Sequence, residues 1–305
     1  MLLAYLLSSH LLSSHLLSSH LLSTHLLSTH LFVTNMANTA TLIAREALKE
    51  ALPDLKITTK KTTSSALHPI DFVGNLQLWP NFRAEVLQTF NTQTWSATII
   101  KTKVAGPAAL GSISEEHMGV SCEASLQGRL GERVGQVLSA VLKAQWYDLM
   151  FCSFRGAELP YEGYHKIPDF AAINQAGTVK IVGEAKVPWV TTHSPSRALD
   201  MFMRGREEQF RHLLGQISLY MRETQLKYGF LSSYNETIVL RKTVVGRHWV
   251  LEYSPVIYHS DEGNTMRGTV STLQSLYHIA LLCQGGWDFG SNTGTRNQKW
   301  TTNRQ

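Results

Sequence analysis

Two acids and an amine stand at spacings suited to phosphate chemistry. Asp169 follows a proline in the apolar run Ile167 to Ile173, while Glu184 and Lys186 close the run Thr178 to Val187. Side chains alternate along an extended strand, so Glu184 and Lys186 share a face. Asn174-Gln175-Ala176-Gly177 separates the two runs and suits a hairpin turn, because Gly and Asn accept positive φ. Antiparallel pairing then brings Asp169 opposite the neighbourhood of Glu184, leaving two carboxylates and an ammonium at one end of a sheet. Such a set suits Mg²⁺ (or Mn²⁺), a hard cation held by one or two carboxylates with water and substrate phosphate in its other positions. The chemistry would be metal-dependent hydrolysis of a phosphodiester. The ion polarises the phosphate and lowers the pKa of a bound water, and Lys186 orients that water or stabilises developing charge.

Several elements must position these groups. Ser121 to Trp146 reads as a helix with Ser121 as N-cap, and Leu126, Leu130, Val134, Val137 and Val141 fall on one core-facing arc. Glu123 projects into that arc and Glu132 away from it, so Glu123 is a candidate further ligand or holder of a metal-bound water. A strand at Leu149 to Phe154 precedes the hairpin. A linker with Pro188 and Pro195 follows it, then a helix from about Arg204 to Thr224. Strands at Tyr228 to Ser233, Thr237 to Lys242 and Trp249 to Tyr258 come next, and a last helix at about Val270 to Leu282. Upstream, Ala37 to Leu52 reads as an amphipathic helix closed by Pro53. The Thr- and Ser-rich stretch 54–115 has few helix signals and reads as an irregular or β-containing lobe. The expected fold is α/β, a mixed central sheet flanked by helices over 116–285, with a small lobe at 36–115 and a frayed polar tail at 286–305.

This order of helix, three strands, helix and strand, with Pro168-Asp169 and Glu184-Ala185-Lys186 in place, resembles the PD-(D/E)XK nuclease superfamily and its restriction-endonuclease-like core. The resemblance covers about residues 120 to 242, a segment that also looks like fungal proteins carrying this domain. It assigns Asp169 to the PD aspartate, Glu184 and Lys186 to the E-x-K pair and Glu123 to the helical acid. Gln216-Ile217-Ser218-Leu219-Tyr220 is similar to the Q-x-x-x-Y element of the RecB-like branch, with Gln216 and Tyr220 one helical turn apart. The resemblance implies Mg²⁺-dependent cleavage of nucleic acid, DNA ahead of RNA. It equally implies a rival, since members of this fold that have lost activity bind nucleic acid or a protein partner without cutting.

Composition sets the frame. The 305 residues are 43% hydrophobic and 17% charged, as in ordinary globular domains. The net charge of +5 is modest, but Lys180 to Val250 holds eleven Lys and Arg against six Asp and Glu, so the basic excess lies around the motif. Arg197, Arg204, Arg206 and Arg211 are candidate contacts to backbone phosphates. Cys122, Cys152 and Cys283 are dispersed and odd in number, which fits a reducing compartment, nucleus or cytoplasm. Residues 1–35 carry a five-residue Leu/Ser/His repeat whose period matches neither helix nor strand. It reads as a disordered low-complexity segment ahead of a truer start at Met36, with a secretory leader as the lesser alternative.

Each feature also has a plainer explanation. Glu184 and Lys186 can form an ion pair on a solvated face, and Glu123 can be an acid at a helix N-terminus, favoured by the macrodipole. Gln216 and Tyr220 can edge the apolar stripe of Phe210, Leu213, Ile217 and Met221, and the arginines can be a solvated face diluted by Glu207 and Glu208.

Overall fold

A computed structural model describes residues 39–64, 67–104, 109–113, 115–286 and 298–304. The repeat and Met36 lie outside the described residues. The described part of Met1–Thr41 forms a small unit with Thr102–Glu115, and Leu42–Lys101 forms a large one with Glu116–Gln305.

The expected helix at 37–52 is, over the described residues, a short strand followed by a single helical turn. Thr39, Thr41 and Ile43 are β-branched and favour extended backbone. They lie in β1 (Thr39–Ile43), which pairs with β5 (Ile99–Val104), and only α1 (Ala44–Ala47) is helical.

The large unit is built on an eight-stranded mixed sheet. Its order is β4 (Asn75–Leu78), β12 (His248–Tyr253), β11 (Glu236–Val245), β10 (Tyr228–Ser232), β9 (Val179–Ala185), β8 (Phe170–Ile173) and β7 (Met150–Cys152), with β13 (Ile257–Tyr258) also on β11. The β9–β10 and β12–β4 neighbours are parallel, the others antiparallel. Alternation divides the core in two. Phe170, Ala172, Ile181 and Ala185 meet Leu126, Leu138 and Val141 on one face. Ala171 and Val182 meet Phe210, Ile217 and Met221 on the other. Helices therefore flank a mixed sheet, as expected.

The residues of 54–115 differ from the expected separate lobe. Strand β4 joins the main sheet, and α2 (Phe82–Thr92) is a helix that buries Phe82, Val86 and Phe90. Those three are spaced i, i+4, i+8, a helical signal inside a Thr-rich stretch. Short β2 (Lys56–Ile57) pairs with β6 (Gly119–Val120).

The long helix starts one residue later than expected. Cys122 is its N-cap, and Ser125 Oγ accepts from the amides of Ser121 and Cys122, both at 3.0 Å. It runs as α3 (Glu123–Leu130), a π turn (Gly131–Gly135) and α4 (Gln136–Ala144). One extra residue in a turn rotates everything beyond it. Leu126, Leu130, Val134 and Val141 are buried as expected, but past the turn Leu138 and Leu142 also face the core and Val137 is only half-buried.

The proline linker contains a helix, α5 (Pro195–Met203), with Ser194 as N-cap and Pro195 at its first position, where a missing N–H costs nothing. Gly205, at φ +81°, interrupts the helical run there, so α6 spans Glu208–Glu223 and does not start at Arg204. Helix α7 is Thr272–Gly286.

The tail is not wholly frayed. Trp300 is fully buried, 5.3 Å from Phe72 and 5.5 Å from Trp249 between ring centroids. Strand β14 (Thr301–Asn303) pairs with β3 (Ile70–Phe72). Buried Lys242 places its Nζ 3.4 Å from the Trp249 centroid and 5.1 Å from that of Trp300, so the rings solvate the cation in place of water.

Candidate active site

The hairpin register positions the acids. Phe170 lies opposite Gly183, so one step further along the ladder Asp169 stands across from Glu184. The Ala185 amide donates to Asp169 Oδ2 at 2.8 Å and Gln127 Nε2 donates to Oδ1 at 2.6 Å. Alternation sends Glu184 and Lys186 to the face covered by α6, and the Lys186 amide continues the pairing with β10 by donating to the Ser232 carbonyl at 2.9 Å. Lys186 Nζ donates to Glu184 Oε1 at 2.6 Å and to Gln216 Oε1 at 2.9 Å, and Gln216 Nε2 donates to the Tyr220 hydroxyl at 2.8 Å. Helical spacing puts Gln216 and Tyr220 on one stripe of α6, so a single helix face closes the network. Five of the six candidate site residues, Asp169, Glu184, Lys186, Gln216 and Tyr220, thus meet in one place.

Glu184 and Lys186 are 1% and 5% exposed, so this pair is not a solvated surface bridge. Burial pushes Asp169 up to about 6; the negative charge of Glu123 adds to the rise, while the Ala185 amide and Lys186 oppose it. Burial raises Glu184 as well, with Lys186 pulling it back and Asp169 pushing it further. Burial also lifts Tyr220 to about 12, so its hydroxyl stays neutral at physiological pH.

Glu123 differs from its expected burial: it is exposed. It is the first residue of α3 and lies ahead of the part of the helix that packs, yet its charge is felt at both Asp169 and Glu184. Gln127, one turn on from Glu123, is the residue that reaches Asp169. Sequence reasoning passed over it, although i and i+4 share a helix face. Asp169 and Gln127 are half-buried, so the site opens on their side.

The four arginines are not all free to meet a phosphate. Arg197, Arg204 and Arg206 are exposed, and Arg204 pairs with Asp200 at 3.0 Å. Arg211 is not a free phosphate contact. It donates to Glu207 at 2.7 Å and to the Gly74 carbonyl at 2.9 Å, because α6 lies beside the β3–β4 turn.

The donor chemistry fits a hard divalent cation. Glu184 Oε2 is buried without a hydrogen-bond partner among the described residues, which costs free energy unless something else satisfies it. No group of three His, Cys, Asp or Glu gathers among the described residues, so Asp169 and Glu184 would be the protein's share of the ligands, with Glu123 at the rim. Among the described residues no helix is long and apolar enough to cross a membrane. No protein-family model, no curated protein and no solved structure matches this chain.

Proposed function

We propose that the chain is a metal-dependent nuclease of the PD-(D/E)XK fold that hydrolyses phosphodiester bonds in nucleic acid, DNA ahead of RNA, with Mg²⁺ or Mn²⁺. The observation that carries this reading is the buried Glu184–Lys186–Gln216–Tyr220 chain beside Asp169, with one Glu184 oxygen left over. A surface ion pair needs neither burial nor a positioning glutamine and tyrosine. The element order α3–α4, β7, β8, β9, α5, α6, β10 supports it as well, since apart from the inserted α5 it is compatible with the helix, three strands, helix, strand order of the superfamily that the motifs resemble.

Asp169 and Glu184 would hold the ion from adjacent strands, and a bound Mg²⁺ would supply a polarised phosphate and a water of lowered pKa. Gln127 and the Ala185 amide fix the Asp169 carboxylate, so little reorganisation precedes binding. Gln216, held by Tyr220, aims the Lys186 ammonium. Lys186 then neutralises charge building on the phosphate oxygens in a site where burial strengthens the interaction.

Cleavage of labelled single-stranded, duplex and plasmid DNA and of RNA, titrated with Mg²⁺, tests the reading. Wild-type protein is expected to cut, and Asp169→Asn and Lys186→Ala to lose at least about 100-fold, the scale of removing one preorganised charge-stabilising group. Equal background cleavage by all three would end it. One observation favours a second reading, an inactive domain of the same fold that binds nucleic acid or a protein: both Asp169 oxygens and the Lys186 amine are already engaged within the protein. Tight Mg²⁺-independent nucleic-acid binding without cleavage would select it.

A further inference from the structure

The arginines that the sequence nominates leave open how a strand is held beside the acids, and a different basic cluster lies in the segment that leads directly into Asp169. The loop from β7 to β8 folds over the same sheet face as Asp169 and Glu184: its Phe154 and Tyr164 share a buried cluster with Ala171, Val182 and Ile217. Within it lies a hollow of about 340 Å³ lined by Arg155, Tyr164, His165, Lys166 and Ile167 together with apolar residues. Two of those side chains, Arg155 and Lys166, are cationic. Lys166 is three residues before Asp169, and three residues of chain span at most about 11 Å.

Tyr164 gives the hollow its specific feature. It is 5% exposed, wedged between Phe154 and Tyr161 at ring-centroid distances of 5.8 and 5.3 Å, and its hydroxyl has no hydrogen-bond partner among the described residues. An unmatched buried hydroxyl costs stability, and Tyr164 lines the hollow, so a ligand acceptor that displaces the side chains now covering the hydroxyl would complete it. Burial and then the charge of Glu223 keep it protonated and hence a donor. Lys166 is paired with Glu223, and an incoming anion would compete for that ammonium at a half-exposed site.

We propose that this hollow binds a phosphate of the nucleic-acid strand whose neighbouring linkage lies at Asp169, with Arg155 and Lys166 supplying charge and Tyr164 a hydrogen bond. It rests on the nuclease reading and names where that site grips its substrate. A phosphodiester of the strand and free phosphate share this chemistry, so the test separates them.

The full-length chain carrying Asp169→Asn is titrated with a fluorescein-labelled single-stranded DNA across a salt series and followed by anisotropy. Adding Arg155→Ala is expected to weaken binding and flatten the salt dependence by about 0.7, the loss of one phosphate contact on a single strand. Adding Tyr164→Phe is expected to weaken binding about two- to tenfold, as for one hydrogen bond, without lowering the thermal midpoint, because the hydroxyl has no internal partner to lose. A merely structural tyrosine would show the opposite pattern. Binding indifferent to both substitutions removes the subsite and leaves the nuclease reading standing, whereas no binding by the Asp169→Asn chain together with no binding or cleavage by the wild-type chain in Mg²⁺ removes both. If inorganic phosphate binding depends on Arg155 and Tyr164 while oligonucleotide binding does not, the hollow is a free-anion site and the strand assignment fails.

Discussion

At Asp169 and Glu184 the protein sets burial against charge, and the sign of that conflict is measurable. Both acids are raised, Asp169 to about 6, so the folded protein keeps protons that the unfolded chain has released. That contribution to stability is full below the ordinary carboxylate range and lost as pH rises through about 6. Without metal, the thermal midpoint of wild type relative to Asp169→Asn is therefore expected to fall between pH 4.5 and 7. A flat difference would show that Asp169 is not desolvated. Magnesium binding should also expel protons near pH 6 and tighten towards pH 8, which calorimetry in buffers of different ionisation enthalpy reads directly. For the buried pair, Glu184→Leu alone should cost about 3–5 kcal/mol by stranding the Lys186 charge, whereas Glu184→Leu with Lys186→Met should recover most of it and stay inactive. Equal midpoints for the single and double variants would contradict this. Asp169, Glu184 and Lys186 were legible because a strand's alternation and a Gly-containing turn are local. Gln127 was not, since its partner lies across the sheet edge, and Arg211 misled because its carbonyl partners come from a distant turn.

At the scale of elements, the placement of Gln216 depends on a residue with no side chain. A Cβ on Gly215 would sit 1.8 Å from the Ile70 carbonyl oxygen, so β3 lies directly on α6 there. Gly215→Ala must push backbone against backbone, and we expect a loss of about 1–3 kcal/mol, as for an overpacked core, with the proposed cleavage weakened as Gln216 shifts. Chemical denaturation with an unchanged midpoint would refute it. The main strands and the helices at 121–146 and 270–282 were legible from periodicity. The π turn was not, because it is one residue of slippage inside an otherwise regular pattern. Helix α5 was hidden by Pro188 and Pro195, read as linker residues although Ser194-Pro195 is also a helix start. The strand at 39–43 was hidden by the alanines that follow it.

On the scale of the whole molecule, the motifs occupy the middle of the chain while the fold recruits its flanks. Strand β4 extends the sheet, Arg211 holds the β3–β4 turn, and Trp300 seals Lys242 against Trp249. Residues 116–285 expressed alone are therefore expected to give little soluble protein, and Trp300→Ala in the full chain to cost about 3–5 kcal/mol. A well-folded fragment with wild-type stability would show that the flanks are ornament. Nothing local foretold these contacts, because each joins residues remote in sequence. The pairing of β3 with β14 across α6 also bears on kinetics. Two segments from opposite ends of the described chain have to find each other before that helix is fully clamped, and such encounters are slow. After dilution from denaturant, helical circular dichroism should return early and the near-ultraviolet signal of the buried Trp300 cluster late, with the lag tracking the search between the two ends.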